Sequence, residues 1–170
     1  MVLYVAAPLR PTEEEIAAQS EYSVERSRGE YERDMLTTRS RAERAQLATH
    51  ANLERAMRWL SWLRRSFPEV TFIAPWIAAV LAGAADADEA QRESGLVDDC
   101  AVVERCDGIV LVGARVSGGM RREMEHGMRR DGFKMYDLTC SWNPDTPLTS
   151  TLSMMESLEW LADVAARFWR

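Results

Sequence analysis

Apolar residues follow two rhythms along this chain. Short runs at Val2–Ala6, Val70–Pro75, Gly108–Gly113 and Phe133–Thr139 are β-branched or aromatic and are bounded by breakers, the signature of buried strands. Between them, apolar positions recur every three or four residues. Leu53, Ala56, Met57, Leu60 and Leu63 form one stripe on a helix predicted from Asn52 to Ser66, which ends before Pro68. Further helices are predicted over about Leu96–Arg105 and Gly119–Arg130. The last covers Ser153–Trp169, where Met154, Leu158, Leu161, Val164, Ala165 and Phe168 share one side. Strands alternating with helices imply parallel pairing. The expected fold is therefore an α/β, Rossmann- or flavodoxin-like open parallel sheet of four to five strands with helices on both faces.

Two segments depart from that rhythm. Residues 11–50 insert some forty polar, charge-mixed residues after strand one, rich in Glu, Arg, Gln and Ala. Helix is the expected state, as a hairpin broken near Arg28-Gly29. With few large apolar residues it reads as a lid, an oligomer arm or a solvated helix. Ala78–Ala90 is an Ala/Asp-rich connection, placed where an active-site loop would also lie.

At 170 residues, 46% apolar and 28% charged, the chain fits one globular domain spanning 1–170. Its net charge of −6 argues against polymeric nucleic acid or a membrane surface as partner. No run approaches a membrane helix and no signal-peptide core opens the chain, so a cytoplasmic location is expected. Cys100, Cys106 and Cys140 follow no metal-ligand spacing and read as reduced thiols.

In an open parallel sheet, ligands bind beyond the carboxyl ends of the strands. Those ends carry Pro8, Leu9 and Arg10, then Pro75 and Trp76, then Gly113–Gly119, then residues 140–143. The Ser117-Gly118-Gly119 turn before a helix has two readings, an anion cradle or an N-cap with a flexible lead-in. On the following helix, Met120, Met124, Gly127 and Met128 form one arc, and Glu123 falls at its edge. An inward carboxylate is costly unless paired, solvated in a cleft or put to use. The alternative is a first-turn glutamate answering the helix dipole or pairing with an arginine.

The segments LYVAAPLR, NLERAM, DDCAVVERCDGIVLV and GARVSGGMRREMEHGM together resemble the nucleoside 2-deoxyribosyltransferase-like family. That family includes deoxynucleoside 5′-monophosphate N-glycosidases and proteins with a DUF4406-type domain. Its Ser-x-Gly-x-x-x-Glu pattern is matched by Ser117, Gly119 and Glu123. Its aspartate eight residues before the strand-opening acidic position is matched by Asp99, counted from Asp107. The resemblance covers Met1–Pro8 and about Asn52–Leu138, leaving the insertion and the tail unmatched.

The resemblance implies an N-glycosidase or deoxyribosyltransferase in which Glu123 attacks the anomeric carbon and forms a glycosyl-enzyme ester. Asp99 would hold or protonate the departing base. Ser117, Gly118 and Gly119 would hold the 5′-hydroxyl or 5′-phosphate, with Arg10, Pro8 and Trp76 completing the substrate site. Asp107 reads as a strand cap. The implied chemistry needs no cofactor and no metal, its partner is a small nucleotide or nucleoside, and the family implies a homo-oligomer. The other function carried on the same fold is a non-catalytic nucleotide sensor or sequestering protein. Four positions depart from the family. Ala6 and Ala7 stand where glycine is common, Gly127 stands where alanine is usual, and Ala114 replaces a tryptophan. Base stacking then falls to Trp76, Tyr4, Trp142 or the insertion.

Overall fold

The structure is a computed structural model, and it describes residues 1–19, 22–26, 34–83 and 88–139. The elements run β1 (Val2–Ala6), α1 (Glu13–Ala17), β2 (Tyr22–Arg26), β3 (Asp34–Thr38), α2 (Arg41–Ser66), β4 (Thr71–Ile73), α3 (Pro75–Leu81), α4 (Glu89–Val103), β5 (Gly108–Leu111), α5 (Gly118–Gly127) and β6 (Lys134–Asp137). They fall into two compact units, one of residues 1–8 with the chain from 55 onward, the other of residues 9–54. The helix expected over Ser153–Trp169 and the residues Cys140 and Trp142 lie outside the described residues.

The larger unit holds a four-stranded sheet in the order β4-β1-β5-β6, with every neighbouring pair parallel. This is the expected open α/β sheet. Tyr4 sits mid-strand, opposite Ile73 on one side and Ile109 on the other. Alternation along β1 sends its residues to two separate cores. Leu3 and Val5 join Trp59 and Leu63 of α2 with Phe72, Val110 and Tyr136. Tyr4 and Ala6 join Val103 at the end of α4, Ile109, Leu111 and Met120 of α5. Thus α2 covers one face of the sheet, and α4 with α5 covers the other.

Glycine is required where backbones meet. A Cβ on Gly108 would stand 2.4 Å from the Lys134 carbonyl oxygen on the adjoining strand. Gly113 has φ of 101°, and a Cβ there would meet the Pro8 ring at 2.7 Å. So Gly113 both turns the chain out of the sheet and seats Pro8 against it. Asp107 is structural, as its position suggested: its carboxylate accepts the Val2 N–H at 2.7 Å and ties β1 to the start of β5.

The expected helical insertion needs correction. Its middle is an antiparallel pair, β2 with β3, in the register Tyr22↔Thr38 to Arg26↔Asp34. The segments YSVER and DMLTT carry Tyr, Val and Thr, which favour extended backbone, so a composition rich in Glu and Arg misled. Helix flanks the pair instead. Thr12 and Glu15 form a reciprocal capping box on α1. Ser40 and Glu43 do the same on α2, which therefore begins eleven residues before the predicted Asn52. Asn52 is buried, and its side-chain amide donates to the Leu9 carbonyl at 3.2 Å and to Glu15 at 3.4 Å.

The described residues of the Ala78–Ala90 connection, 78–83 and 88–90, belong to the end of one helix and the start of the next. Pro75 opens α3 as a first-turn proline, and Asp88 caps α4 by accepting from Ala90 and Gln91. Since β5 and β6 leave no space at their first residue pair, Gly108→Ala should force the two strands apart. The expected cost is on the order of 1–3 kcal/mol, read as a lowered midpoint in denaturant unfolding. An unchanged midpoint would contradict the close approach.

Candidate functional site

α5 starts at Ser117, whose hydroxyl accepts the Met120 N–H at 3.3 Å, while the Ser117 N–H is directed at the Met120 sulfur at 3.4 Å. That is the N-cap reading of the Ser-Gly-Gly turn. The N–H groups of Gly118 and Gly119 are among those no intrahelical carbonyl can reach. Gly118 is exposed with open space where a Cβ would stand, whereas a Cβ on Gly119 would lie 3.3 Å from the Leu96 side chain of α4. Gly119 thus serves helix packing at least as directly as it could serve a ligand.

The buried face of α5 consists of Met120, Glu123 and Gly127. Glu123 therefore lies at the centre of that face rather than its edge. Met128, placed on the arc by periodicity, is the C-cap and is exposed. Gly127 is where Phe133 packs: a Cβ at this position would overlap the ring. Here the absence of a side chain lets Phe133 settle against the helix.

Glu123 is 5% exposed, and its Oε1 accepts a hydrogen bond from the Tyr4 hydroxyl at 2.9 Å. Tyr4 is fully buried, so it is not the stacking surface considered from sequence; its polar tip is the part that matters. Asp99, half-buried on α4, also comes within hydrogen-bond reach of the Tyr4 hydroxyl. Three elements thus deliver one side chain each to a single point: β1 gives Tyr4, α4 gives Asp99 and α5 gives Glu123.

The two helices are held together alongside this cluster. Arg122 grips Glu93 through two hydrogen bonds of 2.6 and 2.7 Å, and His126 meets Glu104 at 2.6 Å. Arg130 reaches the carbonyls of Glu104 and Cys106 beyond the end of α4. Arg122 is therefore spent on Glu93, and the glutamate beside it in sequence turns inward. This disposes of the reading in which Glu123 is a solvated partner of an arginine.

Enclosure raises both carboxyls. Desolvation, then the charge of Asp99, pushes Glu123 up to about 7, against a pull downward from the Tyr4 hydroxyl. Asp99 is pushed up to about 6 by desolvation, with Asp98 adding to the rise and Tyr4 opposing it. Burial first, then the two acidic neighbours, drives the Tyr4 phenol far above its ordinary range, so it stays protonated. Near neutral pH the cluster holds roughly one carboxyl proton. Such a pair, one anion beside one acid, is equipped for nucleophilic attack and proton donation.

The other sequence-selected residues are placed differently. Trp76 donates its indole N–H to the Val5 carbonyl at 2.9 Å and packs on the core that contains Tyr4. Pro8 is buried beside Gly113. Arg10 is exposed and belongs to the unit of residues 9–54. Cys100 and Cys106 are free, buried thiols that burial pushes up. Among the described residues no group of three or more His, Cys, Asp or Glu is placed to hold a metal, and no helix is long and apolar enough to cross a membrane. Tyr4's role escaped sequence reasoning, although a tyrosine inside an apolar strand signals that its hydroxyl must find a buried partner.

Fold and site define an open parallel α/β protein with a buried tyrosine-carboxyl cluster between its central strand and the helices on one face. The chain belongs to the family described as Domain of unknown function (DUF7768), whose profile matches residues 45–136, more than half its length. No curated protein and no solved structure matches it.

Glu123 is a weaker acid in the folded protein, at about 7, than its ordinary 4.5. The folded state therefore binds that proton more tightly, and stability falls as pH rises from about 4.5 to about 7. Glu123→Gln keeps the Tyr4 hydrogen bond and removes the charge. It should raise the melting temperature above wild type at pH 8, by the equivalent of on the order of 3 kcal/mol. The gain should disappear below about pH 4.5, and a variant less stable than wild type at pH 8 would contradict the assignment.

Proposed function

We propose that the chain cleaves the N-glycosidic bond of a nucleoside or nucleotide, as an N-glycosidase or deoxyribosyltransferase, with Glu123 as nucleophile. The observation that carries this reading is the convergence of two inward carboxyls, Glu123 and Asp99, on the Tyr4 hydroxyl. Its support from sequence is the Ser117, Gly119 and Glu123 pattern with Asp99, which resembles the nucleoside 2-deoxyribosyltransferase-like proteins.

Glycosidic cleavage with retention needs an anion to form a bond to the anomeric carbon and an acid for the departing group. The form of the pair with Glu123 ionised and Asp99 protonated supplies both, and it is the minor singly protonated form because Glu123 is raised further, to about 7, than Asp99, to about 6. In that form a Glu123 oxygen bonds to the anomeric carbon, the electron pair of the C–N bond leaves with the base, and Asp99 gives the base its proton. Water then releases the sugar from the ester, or a second base accepts it. The Gly118 and Gly119 amides at the start of α5 suit a 5′-hydroxyl or 5′-phosphate, because a helix N-terminus presents unpaired N–H groups to an anion. A small nucleotide partner, a homo-oligomeric state and a reducing, cytoplasmic setting belong to the same proposal; the free thiols of Cys100 and Cys106 favour the last.

The test is chromatographic release of free base from a panel of ribo- and deoxyribonucleosides and their 5′-monophosphates, with and without an acceptor base. Wild type should release base with a bell-shaped pH profile centred between about 6 and 7, where one carboxyl of the pair is ionised and the other is not. Glu123→Ala should be silent. Asp99→Asn should be slower by about 10²–10⁴-fold on bases that leave poorly without a proton. Release that survives Glu123→Ala overturns the proposal. A raised melting temperature with a nucleotide and no product under any condition would replace it with the sensor reading.

A further inference from the structure

Two enclosed carboxyls that meet at one hydroxyl attract any cation within reach. Among the described residues, neither Glu123 nor Asp99 has one: what acts on them is burial, acidic neighbours and the Tyr4 hydroxyl. A cation is nonetheless close. Arg122 precedes Glu123 on α5, and its charge is felt at the thiol of Cys100, the residue after Asp99 on α4. Glu123 acts on that same thiol. Arg122 is turned away by Glu93, whose two oxygens take both of its terminal nitrogens at 2.6 and 2.7 Å. We infer that Glu93 is a positioning residue that holds Arg122 off the Asp99 and Glu123 pair, so that the pair keeps no counter-cation.

The seam between the helices supports this. On α4, Glu93, Leu96 and Cys100 recur at three and four residues and share the face turned to α5. Leu96 lies against Gly119, and Cys100 is buried. Successive residues on a helix point about 100° apart, so with Glu123 turned in, Arg122 stands at the rim of the seam. From there it has Glu93 on the outside and the enclosed pair on the inside. A fork of two charge-assisted bonds to a half-exposed carboxylate leaves water on both partners. A bridge to the pair would strip most of the water from the guanidinium, so Glu93 prevails while it is present. Other cations of these helices are engaged elsewhere: His126 with Glu104, Arg130 with the carbonyls of Glu104 and Cys106, and Arg105 with the carbonyl of Ala101. Arg121 and Arg129 stand on the exposed side of α5. From β1 the pair meets Tyr4, which stays protonated, and from α4 it feels Asp98.

The benefit of holding Arg122 away rests on the glycosidase reading above. An arginine between two carboxyls holds both ionised. It would engage the oxygen that Glu123 needs for the anomeric carbon and leave no acid for the departing base. With Arg122 kept on Glu93, the pair retains its one proton near neutral pH. Glu93 acts through Arg122 and the two carboxyls, not on the substrate.

The test is read on the free protein, so it does not depend on any activity. Carbon-13 shifts of the Asp99 and Glu123 carboxyls are followed against pH by NMR in wild type, Glu93→Ala, Arg122→Gln and the double variant. Unfolding midpoints confirm that each folds. Glu93→Ala should release Arg122 onto the pair and lower its titration steps by about one pH unit. Arg122→Gln breaks the same exposed contact but leaves nothing to bridge the pair. Its steps should not fall, and the double variant should titrate as Arg122→Gln does. A contact that served only to join the helices would give both single variants the same effect, so equal shifts overturn the inference. Unmoved steps in Glu93→Ala, or a fall that persists in the double variant, overturn it as well. Where Glu93→Ala does not fold, Glu93→Gln takes its place, with a fall of the same sign expected and its absence decisive against the inference. Lowered steps in Glu93→Ala of a protein that releases no base would leave the inference intact and remove only the glycosidase reading.

Discussion

A carboxylate enclosed between a helix and a parallel sheet must find its hydrogen bonds there, because water cannot supply them. The hydrogen bond from Tyr4 to Glu123 meets that demand, and much of the larger unit is arranged around it. Tyr4 reaches Glu123 because β1 is the inner strand that directs alternate residues to opposite faces. Glu123 reaches Tyr4 because α5 puts Met120, Glu123 and Gly127 on its buried side. The cost of this arrangement appears in the raised affinity of both carboxyls for protons, a sign that the site is held against its own preference. Proteins keep such destabilised groups where chemistry or recognition uses them.

The pairing of α4 with α5 makes the cluster possible. Arg122 with Glu93 and His126 with Glu104 are exposed contacts, and exposed ion pairs contribute little to stability. Their value here is alignment. They set the rotation of one helix against the other, so that Asp99 and Glu123 face the same hydroxyl. The close approach of Gly119 to Leu96 and of Phe133 to Gly127 fixes the same helices by shape. A glycine in this region is therefore not in itself a sign of a ligand. Gly119 is occupied with packing, whereas Gly118, with open space around it, is the better candidate for contact with an anion.

Much of this was legible in the sequence, for physical reasons. The four parallel strands stood out because each is a short apolar run between breakers, and a strand buried on both faces has no other way to look. Glu123 stood out because it is a charge amid methionines on a helix. Asp99 came only from the spacing of a family pattern, since nothing local distinguishes it from Asp98. The insertion was misread because its Glu, Arg and Ala content speaks for helix, while the short Tyr22–Arg26 and Asp34–Thr38 segments pair with each other, and pairing between strands leaves little trace in composition. The start of α2 was legible in hindsight from Ser40 and Glu43, a capping box hidden within a charged stretch. What no pattern could give was the meeting of Tyr4 with Glu123, 119 residues apart in the chain.

The account stands or falls on whether Glu123 acts as a nucleophile. The most direct measurement is intact-protein and peptide mass spectrometry after acid quench of the protein incubated with 2-deoxy-2-fluoro nucleosides, whose fluorine slows breakdown of a glycosyl ester. A mass increase equal to the sugar, mapped to Glu123 and absent from Glu123→Gln, is the predicted result. An unmodified Glu123 in a protein that nonetheless releases base from the natural nucleosides would contradict it.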